Sequence, residues 1–517
     1  MSTARYSVSK ILDHNLEAGR GDKVAIYFGN ETYTYAQVSE MANRTGNALK
    51  NLGVEHENRV LLLLLDTPQF PASFFGAIKM GAVPIPTNTV MQSADYEYFL
   101  NDSRAKAVVV SEPLYKVIEP IRANCNYLKH VIVVGGKDIP NVLDWKTITD
   151  AASPKLDPVD ASLDDAAFWL YSSGSTGFPK GAVHLQRDIP FTAKNYAQGV
   201  LNMGADDKCF SASKLFHAYG LGNNMTFPYS VGASTVLFPG RPTPDAIFET
   251  VARHKPSLFF SVPTMYAAML YAATLTTPEE GESKFNFSSV RLCVSSAEAL
   301  PADIYRRWKD RFNLEILDGI GSTEMLHIFI SNYPRKAKAG SSGQLVPGYR
   351  AKITDEAGHE LAAGEIGDLQ VSGDSAAAFY WNKREKTKQT MRGEWLFTGD
   401  KYHVDDDGYF WYDGRSDDML KVGGAWVSPI EVENALIEHH AVLESGVVGA
   451  KDETGLVKTK AFVVLKEGHQ PSPDLAKELQ EFVKGRIAPH KYPRLIEFVN
   501  YLPKTVTGKI QRYKLRQ

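Results

Sequence analysis

Cysteine is scarce: Cys125, Cys209 and Cys293 are the only three in 517 residues, far apart and each in or near an apolar stretch. That excludes a disulfide framework and fits a reduced, cytoplasmic setting. Charge of one sign is also lacking. A formal net charge of -3 removes the electrostatic case for nucleic acid or an anionic membrane as the main partner. Long hydrophobic runs are missing too. The longest aliphatic run, 60–65, falls far short of the roughly 20 residues that a membrane span needs, and reads as a buried strand. Residues 1–21 mix charges with short apolar pieces and hold no signal-peptide core. Low-complexity tracts and internal repeats are absent. The expectation is a soluble cytoplasmic protein, monomer or homodimer, without a membrane span.

What is present is ordinary globular composition, 44% hydrophobic and 23% charged, in a chain too long for one core. Short apolar runs at 60–65, 107–110, 130–134, 235–238, 258–262 and 291–294 alternate with longer amphipathic stretches. That pattern predicts an α/β fold, with parallel-type sheets covered by helices on both faces. Near residue 365 the pattern changes to short alternating strands, with strands at 398–404 and 409–412 around the turn at 405–408. Beyond Gly414 the tail reads as a small α+β unit: a helix over 427–439, strands over 441–449 and 459–465, and a helix over 474–487. The expected division is a large N-terminal domain, 1–415, with a small β-rich part, and a C-terminal domain, 416–517, joined near 415–418.

One segment stands out. Ser172-Ser173-Gly174-Ser175-Thr176-Gly177-Phe178-Pro179-Lys180-Gly181 packs four hydroxyls, three glycines and a lysine behind the apolar lead-in Phe168-Trp169-Leu170-Tyr171. Glycines let main-chain N–H groups converge on an anion, hydroxyls add donors, and Lys180 adds a positive charge. This is a polyphosphate cradle, but not a P-loop: Pro179 precedes the lysine and argues against the loop opening directly into a helix. Three further segments follow in order: Leu317-Asp318-Gly319-Ile320-Gly321-Ser322-Thr323-Glu324; then Thr398-Gly399-Asp400 with Asp413-Gly414-Arg415 through Gly424; and Leu502-Pro503-Lys504 through Ile510.

Together these four segments strongly resemble the acyl-adenylate-forming superfamily of acyl-CoA ligases, luciferases and peptide-synthetase adenylation domains. The likeness covers essentially the whole chain. It is strongest to the aryl-CoA ligases, benzoate-CoA ligases in particular, through Lys214-Leu215-Phe216-His217-Ala218-Tyr219-Gly220-Leu221-Gly222-Asn223, Met325-Leu326-His327-Ile328-Phe329 and Ala488-Pro489-His490-Lys491-Tyr492-Pro493-Arg494.

The resemblance implies an ATP-dependent, AMP-forming acid–thiol ligase that uses Mg²⁺ and coenzyme A and joins an aromatic acid to CoA through an acyl-AMP. It assigns the β- and γ-phosphates to Ser172, Ser173, Gly174, Ser175, Thr176, Gly177 and Lys180. The α-phosphate falls to Thr323, the metal to Glu324, and the ribose to Asp400 and Arg415. Adenine contacts fall to the 295–300 strip with Ser296, Ala297 and Glu298, Ser296 standing where glycine is expected and its hydroxymethyl narrowing that strip, and Asp318 and Gly319 count among the cofactor-binding residues. The acyl pocket falls to Ala218, Tyr219, Gly220, Gly319, Ile320, His327 and Ile328, and His217 stands where an aromatic residue is expected. Lys509 becomes the adenylation lysine and a candidate for regulatory acetylation, Asp417 the hinge of a rotating small domain, Lys421 a residue of the thioester step, and Gly423 and Gly424 the lining of a pantetheine tunnel. Benzoate or a close analogue is the expected acid. Hydroxybenzoate, aminobenzoate, cyclic aliphatic or medium-chain acids are the alternatives, with a stand-alone adenylation partner for a carrier protein or a non-catalytic acyl-AMP or ATP binder behind them.

Overall fold

The computed structural model describes residues 6–172, 178–274, 285–416, 418–422, 425–451, 457–488, 491–504 and 510–516, with only the main chain at Lys421, Ala425, Trp426 and Lys451. Two parallel-type sheets dominate the larger part of the chain. The first runs Val83–Pro86, Arg59–Leu63, Ala107–Ser111, His130–Val134, Leu143–Asp144, all parallel. Its strands are apolar at nearly every position because both faces are covered. Val60, Leu62, Val109 and Ile132 enter one core, while their alternating neighbours Leu61, Leu63, Val108, Val110 and Val131 enter another.

The second sheet has nine strands among the described residues. Lys208–Ser211, Ser234–Leu237, Leu258–Ser261, Leu292–Ser295 and Ile316–Gly321 are its parallel centre, and Ile328–Ser331 joins antiparallel. The same alternation divides it: Phe210, Phe259 and Cys293 face one core, and Cys209, Phe260 and Val294 the other. The helix Tyr35–Asn51, opened by a reciprocal Thr34–Gln37 capping box, crosses Gln69–Lys79 where glycine meets glycine. A Cβ on Gly46 would come within 2.6 Å of the Gly76 carbonyl oxygen, so no side chain fits that crossing.

The chain changes to antiparallel strands, and does so from Arg350, ahead of the change near 365 that the sequence pattern predicts. Arg350–Thr354, Gly367–Ser372, Trp395–Val404 and Phe410–Arg415 pair antiparallel. A further core gathers Leu420, Val427, Val432, Leu436, Val447, Ala461, Val463, Leu479 and Val483. Two helices here are shorter than their periodicity suggests. The first runs Pro429–Ile437, because Ser428 caps it through Glu431 N–H and Pro429 occupies the first turn. The second runs Pro473–Lys484 and stops at Gly485. Glu433 is buried in this core, accepting from Val447 N–H (2.7 Å) and pairing with Arg512 at 2.7 Å. Arg306, on the helix Ala302–Phe312, reaches Glu438 at 3.2 Å.

Candidate active site

The strands Ala166–Ser172 and Lys180–Leu185 pair antiparallel, with Ser172 opposite Lys180. Lys180 thus opens a strand, not a helix, as Pro179 argued. Ser173, Gly174, Ser175, Thr176 and Gly177 lie outside the described residues, and the two paired residues hold the ends of their segment. Both ends face Glu324. Ser172 Oγ donates to Glu324 Oε1 at 2.9 Å, and Tyr380 Oη donates to the same oxygen at 2.7 Å. Lys180 Nζ lies 4.5 Å from the Tyr380 ring centroid and 3.5 Å from its hydroxyl. Burial pulls the Lys180 ammonium below its ordinary pKa while Glu324 opposes the shift. The result is a partly desolvated cation beside a carboxylate that keeps its second oxygen, Oε2, clear of hydrogen bonds among the described residues.

The Thr323–Glu324 turn is fixed from two sides. Ala377 N–H donates to the Glu324 carbonyl at 2.7 Å, and Ser375 Oγ to that of Met325 at 2.8 Å. From the opposite side His184 Nε2 lies 2.8 Å from the Thr323 carbonyl oxygen, its Nδ1 lies 2.8 Å from Asp188 Oδ2, and the ring stacks on Phe168 at 5.1 Å. His184 and Asp188 are fully buried.

Asp400 and Arg415, fifteen residues apart in sequence, are opposite one another in adjacent strands, with NH1 3.0 Å from Oδ1. Arg415 also donates to the Thr398 carbonyl at 3.2 Å. Asp318 is buried, and burial pushes its carboxyl up to about 8 against a bond from Leu300 N–H at 3.3 Å. It is therefore largely neutral at pH 7. Ser296 turns its hydroxyl inward to the Gly319 carbonyl (2.7 Å), joining two neighbouring strand ends. Ala297 follows in the left-handed region at φ 78°.

Around Tyr219 the residues expected to form the acyl pocket are assembled. Ala218, Tyr219 and Gly220 begin the short helix Ala218–Leu221. The Tyr219 hydroxyl donates to the carbonyls of Ser261 (3.2 Å) and Val294 (3.1 Å), which fixes the ring. His327 lies against it, ring centroids 5.7 Å apart, with Nε2 3.3 Å from the Tyr219 carbonyl. Burial drives His327 down to about 3, so it is neutral, and its Nδ1 is buried with no partner among the described residues. Gly222 makes room for it: a Cβ there would come within 2.4 Å of His327 Cδ2. Ile328 is buried, Ile320 partly so, and Gly319 lets the strand pair close, since its Cβ would meet the Ile330 oxygen at 2.7 Å. The His217 ring packs on Phe216 at 4.4 Å.

Lys421 lies in Leu420–Val422, paired with Ala425–Val427. Gly423, Gly424, Asp417 and Lys509 lie outside the described residues. A second cluster, His439, His440 and Glu478, brings three ligand-type atoms within 4.8 Å. It reads as a satisfied hydrogen-bond group, because His439 Nδ1 accepts from Ala441 N–H (3.3 Å), which places the proton on Nε2, 3.1 Å from Glu478.

Sequence reasoning missed Tyr380, His184 and Asp188. A histidine four residues after the loop lysine and four before an aspartate was a readable signal; Tyr380 offered none.

The chain belongs to the AMP-binding enzyme family: that family's model matches residues 12–381, and the model of the AMP-binding enzyme C-terminal domain matches 431–509. Among curated relatives it is 50% identical to a benzoate–CoA ligase of Thauera aromatica over 515 residues, 99% of this chain and 96% of that one. A 4-hydroxybenzoate–CoA/benzoate–CoA ligase of Rhodopseudomonas palustris is 44% identical, covering 98% and 93%. Of solved structures, an anthranilate CoA ligase in complex with anthranoyl-AMP superposes with a TM-score of 0.93 at 44% identity, covering 99% and 96%. A benzoate CoA ligase from Burkholderia xenovorans LB400 gives 0.90 at 46%, covering 99% and 100%.

Proposed function

We propose that this protein is an ATP-dependent, AMP-forming ligase that converts an aromatic carboxylate, benzoate or a close analogue, to its CoA thioester. The observation that carries this reading is the convergence of Ser172, Lys180 and Tyr380 on Glu324. In the first step a carboxylate oxygen of the acid attacks the α-phosphorus of ATP, the bond to the β-phosphate breaks, and pyrophosphate leaves. In the second, the CoA sulfur attacks the acyl carbon, AMP departs and the thiol proton goes to solvent. Catalysis is mainly positioning and charge stabilisation.

Residues 172–177 and Lys180 hold the outer phosphates in this reading, Thr323 the α-phosphate, Asp400 and Arg415 the ribose. The strip of Ser296, Ala297, Glu298, Asp318 and Gly319 takes the adenine. Glu324 suits Mg²⁺: it offers a hard oxygen, Oε2, while Ser172 and Tyr380 hold the other. Bound there, the ion supplies charge neutralisation on the phosphates. Residues 1–415 form the nucleotide- and acid-binding domain and 416–517 a mobile one turning at Asp417, so that Lys509 serves adenylation and Lys421, Gly423 and Gly424 the thioester step. Acetylation of Lys509 would remove the charge that adenylation needs.

Pyrophosphate and AMP release with ATP, Mg²⁺ and CoA, measured against benzoate, the three hydroxybenzoates, 2-aminobenzoate, cyclohexanecarboxylate and hexanoate, tests the reading. Aromatic acids should lead. Preference for hexanoate would break the pocket assignment, and no turnover on any acid would overturn the ligase reading. Nδ1 of His327, buried without a partner among the described residues, favours, as a second reading, a ring bearing a hydroxyl or amino group.

A further inference from the structure

The N-terminal ends of the first sheet's strands carry cations. Arg59 opens Arg59–Leu63, Lys106 directly precedes Ala107–Ser111, and Lys129 directly precedes His130–Val134. Arg104 caps the helix Ser93–Ser103 in the left-handed conformation, φ 54°, and joins them. Between them lies a cavity of about 250 Å³ lined by Asn58, Arg59, Arg104, Lys106, Asn126, Tyr127 and Lys129. Four cations, two amides and a phenol face it, and no carboxylate lines it.

The guanidiniums are held in place. Arg59 Nε donates to the Ser103 carbonyl and NH1 to that of Glu57, each at 2.8 Å. Its guanidinium lies 5.3 Å from the Trp381 ring centroid, and that of Arg104 lies 5.6 Å from the same ring and 6.0 Å from Tyr127. Trp381 is itself anchored, its indole N–H donating to the Asp102 carbonyl at 2.9 Å. Two arginines thus share one indole.

Their charges are not matched. Among the described residues no carboxylate comes within ion-pair distance of Arg59, Arg104 or Lys129, and Lys106 reaches only the exposed Glu55, at 3.4 Å. Glu57 tempers Arg59 and Asp102 tempers Arg104, each from beyond ion-pair distance, while Asp102 also accepts from the Tyr171 hydroxyl at 2.8 Å. Burial and the charge of Arg104 both disfavour the charged form of Arg59. Like charges preset around a concave surface repel until an anion enters, and an Arg59 oriented by main-chain carbonyls, with an Arg104 laid against two rings, loses little freedom when one does.

We infer that this cavity is a second anion site, separate from the phosphate-loop hairpin, and that it takes a diphosphate group, either free pyrophosphate or the diphosphate of a nucleotide. Its volume admits two linked phosphates, and the fork of Arg104, with the remaining N–H groups of Arg59, suits paired oxygens better than a point anion. The Tyr127 ring, 46% exposed at the rim, offers a face to a base if one is attached.

The test is calorimetric titration of the full-length protein with pyrophosphate, ADP and, at matched ionic strength, sulfate. Wild type should bind pyrophosphate or ADP at two sites. Arg104→Asn, a residue that tolerates the left-handed conformation, should lose one of them or weaken it at least about tenfold while keeping its turnover. Lys129→Gln should weaken the same site with no change in melting temperature, which separates lost binding from lost folding. ADP bound more tightly than pyrophosphate at the lost site would mark a nucleotide as the source, and the reverse order free diphosphate. Unchanged stoichiometry and affinity in both variants, or sulfate binding as well as either, would overturn the inference.

Discussion

The ring Nε2 of His184 lies 2.8 Å from the main-chain oxygen of Thr323, a residue 139 positions away in sequence. A carbonyl oxygen can only accept, so this nitrogen carries a proton. On the other side Asp188 Oδ2, which already accepts from Leu185 N–H at 3.0 Å, faces Nδ1. The pair is a strut between the strand that begins with Lys180 and the turn that ends with Glu324.

His184→Phe keeps a ring to stack on Phe168 but removes both hydrogen bonds. The turn should lose its fixed distance from the hairpin, and the adenylation rate should fall about tenfold to a hundredfold with little change in KM for the acid. His184→Gln, which can still donate to Thr323, should recover part of the loss. Burst-phase pyrophosphate release measures both. Equal rates in Phe and Gln variants would remove the strut from the account.

Tyr380→Phe deletes one of the two donors to Glu324 Oε1 and leaves the ring beside Lys180. Loss of a charge-assisted bond of this kind costs roughly 1.5–3 kcal/mol. The expected result is a drop of about ten- to a hundredfold in turnover, accompanied by a higher Mg²⁺ requirement. Steady-state rates across a magnesium titration provide the check.

Arg415→Met breaks the cross-strand pair with Asp400. If the pair holds ribose, KM for ATP should rise by about tenfold or more while KM for the acid stays within a factor of about two. A rise confined to the acid would move Arg415 out of the nucleotide site.

Asp318 has a folded pKa of about 8, raised from 3.8 mainly by burial. The stability tied to its neutral carboxyl is fully present below pH 3.8 and is lost as pH rises through 8, because the unfolded chain gives up the proton first. Asp318→Asn cannot ionise. Its stability relative to wild type should therefore climb between pH 5 and pH 8, by roughly 1.4 kcal/mol per pH unit at most. Urea denaturation at the two pH values reads this directly, and a flat difference would contradict it.

The sequence announced the large-scale order more readily than the contacts that complete the site. Continuous apolar runs such as 60–63 and 107–110 were legible because both faces of each strand are buried, which leaves no polar position to interrupt them. The Ser/Gly/Lys segment declared itself by composition. Asp400 and Arg415 were paired in role by the family resemblance, and their cross-strand register is what brings them together. Tyr380 and His184 escaped because each acts through a partner on another sheet or turn, 56 and 139 positions away. No local period encodes such a distance. Ser428-Pro429 and Gly485 were helix boundary signals in plain view, overrun by apolar periodicity on either side.

The buried Glu433–Arg512 pair bears on how the molecule is made. Residue 433 is synthesised 79 positions ahead of residue 512, and without Arg512 its carboxylate has, among the described residues, the Val447 N–H as its hydrogen-bond donor. Closure of this core around a paired Glu433 therefore waits for a residue 79 positions further along the chain. Truncation just before Arg512 should leave a stranded charge in place of a short tail, at a cost of several kcal/mol. Fusions that follow residue 517 are consequently safer than deletions that reach back to it.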